Sequence, residues 1–140
     1  MLSMAAAFFV PLAELWARGH SHWSVPAEEK ARPNPTPASA ESVARGKTLY
    51  GKNCQSCHGD KGDGKGPVAQ RLGFEAGDLT NAKEMSGETD GELAWKIATG
   101  MDPMPAFKKD KNLTDAEIWD LVNYSRTLSA GTAQSQPAKP

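Results

Sequence analysis

The sequence predicts an all-α domain, with three main helices, short helical pieces and long loops. Two observations carry this expectation. Thr89 with Glu92, and Thr114 with Glu117, form two capping boxes, in which each side chain satisfies the other's orphan backbone donor. No stretch shows the strict apolar–polar alternation of a half-buried strand. In chain order, Ser39 or Ser42 caps a first helix that carries Val43, Gly46, Lys47 and Tyr50 towards Cys54. A loop rich in glycine (Gly59, Gly62, Gly64, Gly66) leads to a short helical piece from Pro67 to Leu72. The first capping box opens a helix through Leu93, Trp95 and Ile97 that stops at Gly100, a residue suited to the position just past a helix end. The second opens the longest helix, to about Leu128, with Ile118, Leu121, Val122, Ser125 and Leu128 along one side.

These helices place one domain at residues 40–130, with extensions on either side. Met4 to Leu15 is largely apolar but too short for a spanning helix, which needs about 20 apolar residues. No Lys or Arg precedes Arg18, although a secretory signal should open with positive charge. Residues 1–18 are therefore expected to be a signal peptide or an N-terminal arm. Residues 19–39, with Pro26, Pro33, Pro35 and Pro37, read as a polar, extended linker. Residues 131–140 are small, polar and proline-containing, and read as a disordered tail.

Chemistry concentrates in Cys54-Gln55-Ser56-Cys57-His58. Two thiols three residues apart can each add to one vinyl group of a porphyrin, and the adjacent histidine is then carried under the iron. This spacing reads as a c-type haem attachment site. Structural zinc needs four ligands, whereas the chain has 2 cysteines and 3 histidines, and His20 and His22 lie far upstream in the linker. A thioredoxin-like redox pair needs a strand and crossover helix around the motif, which the helical pattern does not provide. A plain Cys54–Cys57 disulfide is the remaining alternative.

Composition agrees with a cofactor-stapled domain. Only 39% of residues are hydrophobic and mean hydropathy is −0.55, so a small core needs a metal, a disulfide or a large prosthetic group to hold it. The formal net charge of −1 provides no basic excess to neutralise phosphates, which argues against nucleic acid as partner.

The second face of the iron needs a ligand too. No further histidine lies within the predicted domain, so methionine is the natural candidate, from Met85, Met101 or Met104. Met104 sits between Pro103 and Pro105, which limit the backbone entropy lost when the loop is fixed. Met101 follows the helix-ending Gly100 and suits a core plug. Met85 lies in a polar stretch without rigid framing, and an open or lysine-bound site is the last alternative.

From Ser42 to Leu128 the chain resembles the class I cytochromes c, small bacterial proteins with one haem. Gly46 and Tyr50 resemble the small-and-aromatic pair that packs across the last helix, where Leu121 and Tyr124 stand at matching spacing. Cys54, Cys57, His58 and the following Gly59 match the attachment site, and Met104-Pro105 matches the methionine loop. Gly66-Pro67 resembles the family's glycine–proline step, which implies that the Pro67 carbonyl accepts the second imidazole N–H and fixes the ring.

The resemblance implies a cytochrome c fold around one covalent haem c, His58 and Met104 as axial ligands, and one-electron transfer through an exposed haem edge without substrate chemistry. By looser analogy with the family, Trp95 and Arg71 are candidate donors to the haem propionates, the alternatives being a core residue on its helix for Trp95 and a solvated surface residue for Arg71. Export to the periplasm is expected, as is weak, charge-guided docking to redox partners or membrane-bound complexes. Lys52, Lys61 and Lys65 flank the attachment motif, and Lys108, Lys109 and Lys111 follow the methionine loop. Asp60, Asp63, Asp102 and Asp110 interleave with them. Two other roles fit the same residues: an electron-transfer subunit of a larger oxidoreductase, and a haem-based gas or redox sensor.

Overall fold

The computed structural model describes residues 23–133 and, beyond residue 131, backbone only. The expected signal or arm, His20 and His22, and residues 134–140 lie outside the described residues. Eight helices follow one another: α1 (Ala27–Lys30), α2 (Ala40–Asn53), α3 (Gln55–His58), α4 (Pro67–Leu72), α5 (Ala82–Gly87), α6 (Asp90–Thr99), α7 (Phe107–Asp110) and α8 (Asp115–Ala133). No strand occurs among the described residues, where Met101 and Met104 form one isolated bridge. The fold is all-α, and α2, α6 and α8 are its three long helices, as the capping signals predict.

Each long helix has the start its sequence encodes. The Ser39 hydroxyl accepts from the Ser42 amide to open α2. Thr89 and Glu92 complete a reciprocal capping box on α6, and Thr114 and Glu117 do the same on α8. In both boxes the backbone N–H of the threonine, bonded to the glutamate, holds that carboxyl below its usual pKa. The last helix runs on to Ala133, five residues past its predicted end, so residues 131–133 are helical rather than tail.

The scaffold is α2 crossed over α8. The two backbones approach so closely at Gly46 that a Cβ there would overlap the Asp120 carbonyl and lie 2.8 Å from the Cβ of Tyr124. Four residues on, the Tyr50 and Tyr124 rings pack with centroids 5.2 Å apart. Below this crossing Ile118, Leu121 and Val122 of α8 are fully enclosed, with Trp119, Phe107 and Leu93 around them. At roughly 1.5–3 kcal/mol for each large apolar side chain removed from water, this cluster is the main favourable contribution of the polypeptide.

The proline-rich segment departs from expectation. From Trp23 to Pro37 it is a strap bound to α6 and α8, not a tether. Val25 is buried, Lys30 pairs with Glu92 at 3.1 Å, and the Thr89 hydroxyl donates to the Lys30 carbonyl at 2.8 Å. Asn34 donates to the Asn123 side chain at 2.8 Å, and Asn123 in turn donates to the Thr36 and Pro37 carbonyls. The Arg32 guanidinium lies over the Trp119 ring, 4.9 Å from its centroid. Prolines do not prevent this docking, because the strap is held through side chains and backbone acceptors, which proline retains.

Candidate functional site

A cavity of about 260 Å³ opens where α3, the 74–79 loop, α5, α6 and the 101–105 turn face the α2–α8 scaffold. Cys54, Cys57, His58 and Met104 all line it. The two cysteines sit at either end of one helical turn. Cys54 caps the end of α2, its amide donating to the Tyr50 carbonyl at 2.8 Å, and Cys57 lies within α3. Both thiols are free. Burial, with a smaller contribution from Cys57, pushes the Cys54 thiol up to about 12, so it is a neutral thiol at ordinary pH.

His58 ends α3. Its Nδ1 lies 3.0 Å from the Gly77 carbonyl. A carbonyl only accepts, so Nδ1 carries the proton and Nε2 keeps its lone pair. Burial pulls the imidazole pKa below its usual value, outweighing the opposing hydrogen bond to Gly77, and the ring is neutral and able to ligate a metal.

The acceptor is not Pro67. Pro67 is the first residue of α4, exposed and outside the cavity lining, and its carbonyl points along the helix axis into the first turn. Gly66 presses this turn against the backbone of α3, where its amide donates to the Cys57 carbonyl at 3.0 Å. The glycine–proline step thus braces the attachment helix, while the 74–79 loop supplies the acceptor. That loop is itself anchored by the Leu79 amide, which donates to the Gly62 carbonyl at 2.7 Å. A backbone acceptor carried on a loop has no side-chain signal, which is why the spacing of the sequence did not disclose it.

All three methionines line the cavity. Met85, on α5, is buried in the core cluster and its carbonyl accepts from Arg126. Met101 and Met104 exchange both backbone hydrogen bonds, at 2.9 and 2.8 Å, across the Asp102–Pro103 turn. Met104 therefore sits on a closed two-residue turn, seated against Phe107 and the rest of the core, and Met101 is its bridge partner. Trp95 stays off the cavity lining and packs edge-on against Trp23, with centroids 6.1 Å apart, while Arg71 is exposed on α4.

The donor set fits a haem: two unpaired thiols one turn apart, a neutral imidazole with one nitrogen free, and a thioether on a rigid turn. Most of the remaining wall is apolar, including Leu93, Ile97, Phe107 and Leu121. It does not fit a structural zinc ion, since no group of three or more His, Cys, Asp or Glu side chains converges among the described residues. No helix among those residues is long and apolar enough to cross a membrane.

Comparison with known proteins points the same way. Residues 41–124 match the family described as cytochrome C oxidase, cbb3-type, subunit III. The chain is 37% identical over 95 residues to a cbb3-type cytochrome c oxidase subunit CcoP of Azospirillum sp. (strain B510), a match covering 67% of this chain and 31% of that protein. It is 33% identical over 93 residues to the subunit of the same name from Azospirillum brasilense, covering 66% of this chain and 30% of that one. The matched region is thus about a third of the length of these relatives. Among solved structures, a chain of the Kuenenia stuttgartiensis reducing HAO-like protein complex superposes with a TM-score of 0.57 at 32% identity, over 67% of this chain and 46% of that one.

Proposed function

Given that this chain belongs to the cytochrome c oxidase, cbb3-type, subunit III family, and so carries a covalent c-type haem with its iron, we propose that it transfers single electrons, with His58 and Met104 as axial ligands. The observation that carries this reading is that Cys54, Cys57, His58 and Met104 line one cavity although 46 positions separate the two proposed ligands.

Bound haem iron supplies a reversible one-electron couple. The chain's own residues make that couple useful. Cys54 and Cys57 would anchor the porphyrin on one helical turn. His58, held by the Gly77 carbonyl, presents Nε2 without freedom to rotate, and the bond from Nδ1 raises its basicity as a ligand. Met104 presents a thioether, a soft donor that favours the reduced metal. With His58 and Met104 both holding the iron, substrates would be kept from the metal. The apolar wall excludes water and lifts the potential further. The role is electron transfer rather than turnover.

Of the roles considered, an electron-transfer subunit of a larger oxidoreductase is favoured over a free carrier, because both curated relatives are named as oxidase subunits and the structural relative is part of a complex. Its site of action on this reading is periplasmic, and its partners are redox proteins.

The test uses the full chain matured with haem. The ferric wild type is expected to show the methionine–iron charge-transfer band, and a Cys54→Ala, Cys57→Ala variant to lose its haem on acid–acetone extraction. Absence of the band from the wild type would remove Met104 as ligand. Haem retained by the double variant would remove the covalent attachment.

A further inference from the structure

We propose that the strap from Trp23 to Pro37 is a wall of the haem pocket, with Trp23 the residue that closes the pocket against small solutes. The inference rests on the haem reading above and goes beyond it, since Trp23 lies outside the family match at residues 41–124.

Trp23 is the strap's one contribution to the cavity lining. Two contacts hold its indole. Trp95 packs edge-on against it, and the Lys96 ammonium lies 5.7 Å from its ring centroid. Lys96 is in turn pinned by Glu88 at 2.6 Å, and both of these residues also line the cavity. An ammonium clamped between a carboxylate and a ring fixes the indole's position more firmly than an apolar contact alone.

The rest of the strap sets where Trp23 arrives. α1 runs across the first turn of α6 at Gly91, where a Cβ would overlap the Glu29 carbonyl and lie 2.8 Å from the Arg32 carbonyl oxygen. Only a residue without a side chain lets the strap lie this close. The Lys30–Glu92 pair and the Thr89 bond to the Lys30 carbonyl close the same contact from either side. A segment joined by so many long-range contacts to the helix that forms one cavity wall belongs to that wall. Because the apolar shell around a metal site controls solvent access to it, removing the indole opens the pocket on the strap side.

The experiment measures stopped-flow reduction of the ferric, haem-loaded full chain by dithionite. Trp23→Ala is expected to be reduced severalfold faster than the wild type, and Trp23→Phe, which keeps a ring, at close to the wild-type rate. Gly91→Ala lifts the strap with Trp23 intact and is expected to match Trp23→Ala; it decides the matter if Trp23→Ala yields no holoprotein. Wild-type rates in Trp23→Ala, or in Gly91→Ala in its place, would overturn the proposal. Covalent haem is confirmed first in the wild type, so failure of the haem reading appears before any rate is compared.

Discussion

The Asp120 carboxylate, buried where α8 crosses α2, accepts from Arg45 Nε at 2.7 Å and Nη2 at 2.9 Å, and from the Ser42 hydroxyl at 2.6 Å. Burial alone would raise its pKa, but the bonds from Arg45 and Ser42 and the guanidinium charge outweigh it and hold the carboxyl below the usual 3.8. The native state therefore takes up this proton at lower pH than the unfolded chain. Its stabilisation is whole above about pH 3.8 and fades as pH falls through the lower native value. Asp120→Ala is expected to cost roughly 1–3 kcal/mol near neutral pH, since Ser42 and Arg45 lose their acceptor. The gap between wild type and variant should narrow in denaturant titrations at about pH 3. An equal gap at both pH values would show that the carboxylate's charge is not what stabilises the crossing.

At the same crossing, Gly46→Val places a side chain against the Asp120 carbonyl, with no flexible neighbour to yield. The expected loss is about 3 kcal/mol, at the upper end for overpacking, read as a lower melting temperature. Gly51→Val, on the same helix where a Cβ would meet only the far end of Gln55, is the control.

On the proposed ligation, Met104→Ala should lose the methionine–iron charge-transfer band and lower the reduction potential, because it would remove a soft donor to the ferrous metal. Met85→Leu and Met101→Leu should keep both, at a stability cost below about 1.5 kcal/mol for a swap of similar volume. Optical spectra of the three variants decide among the methionines that line the cavity.

Arg126 holds the segment between α5 and α6 to the last helix. It donates to the Met85 carbonyl, to the Glu88 carbonyl at 2.6 Å and to Asp90 at 2.8 Å. Arg126→Ala should cost roughly 3 kcal/mol, as bonds from a charged donor to several acceptors are lost together. Arg126→Lys should recover only part of this, because an ammonium cannot reproduce the planar fork. Hydrogen exchange of the 85–90 amides should accelerate in both, and most in the alanine variant.

Much of this molecule is legible one segment at a time. The Thr–x–x–Glu starts of α6 and α8 and the five residues of the attachment motif all state their structure within a few positions, whereas the glycine and tyrosines of the α2–α8 crossing are legible only through the family resemblance. What stayed hidden is written in long-range contacts. α5 is the exception, hidden by its length: Asn81 precedes it and its side chain caps the Lys83 and Glu84 amides, but a six-residue helix offers too little periodicity to see. The acceptor for His58 is a main-chain oxygen. The strap has the composition of a linker because its partners, Gly91, Asn123 and Trp119, lie more than fifty residues away, and local composition carries no trace of them.

The strap also separates two lengths that are easily equated. The family match begins at residue 41, yet the chain that completes the fold begins at Trp23 or before. A fragment that began at residue 41 would keep both cysteines, both proposed ligands, α6 and α8 whole and all but the first residue of α2. It would also bare the first turn of α6 and the Trp119 face, and strip Asn123 of its two backbone acceptors, Thr36 and Pro37. What is inherited as a recognisable module is thus shorter than what folds as one. Grafting this redox centre onto another scaffold means moving its boundary nearly twenty residues upstream.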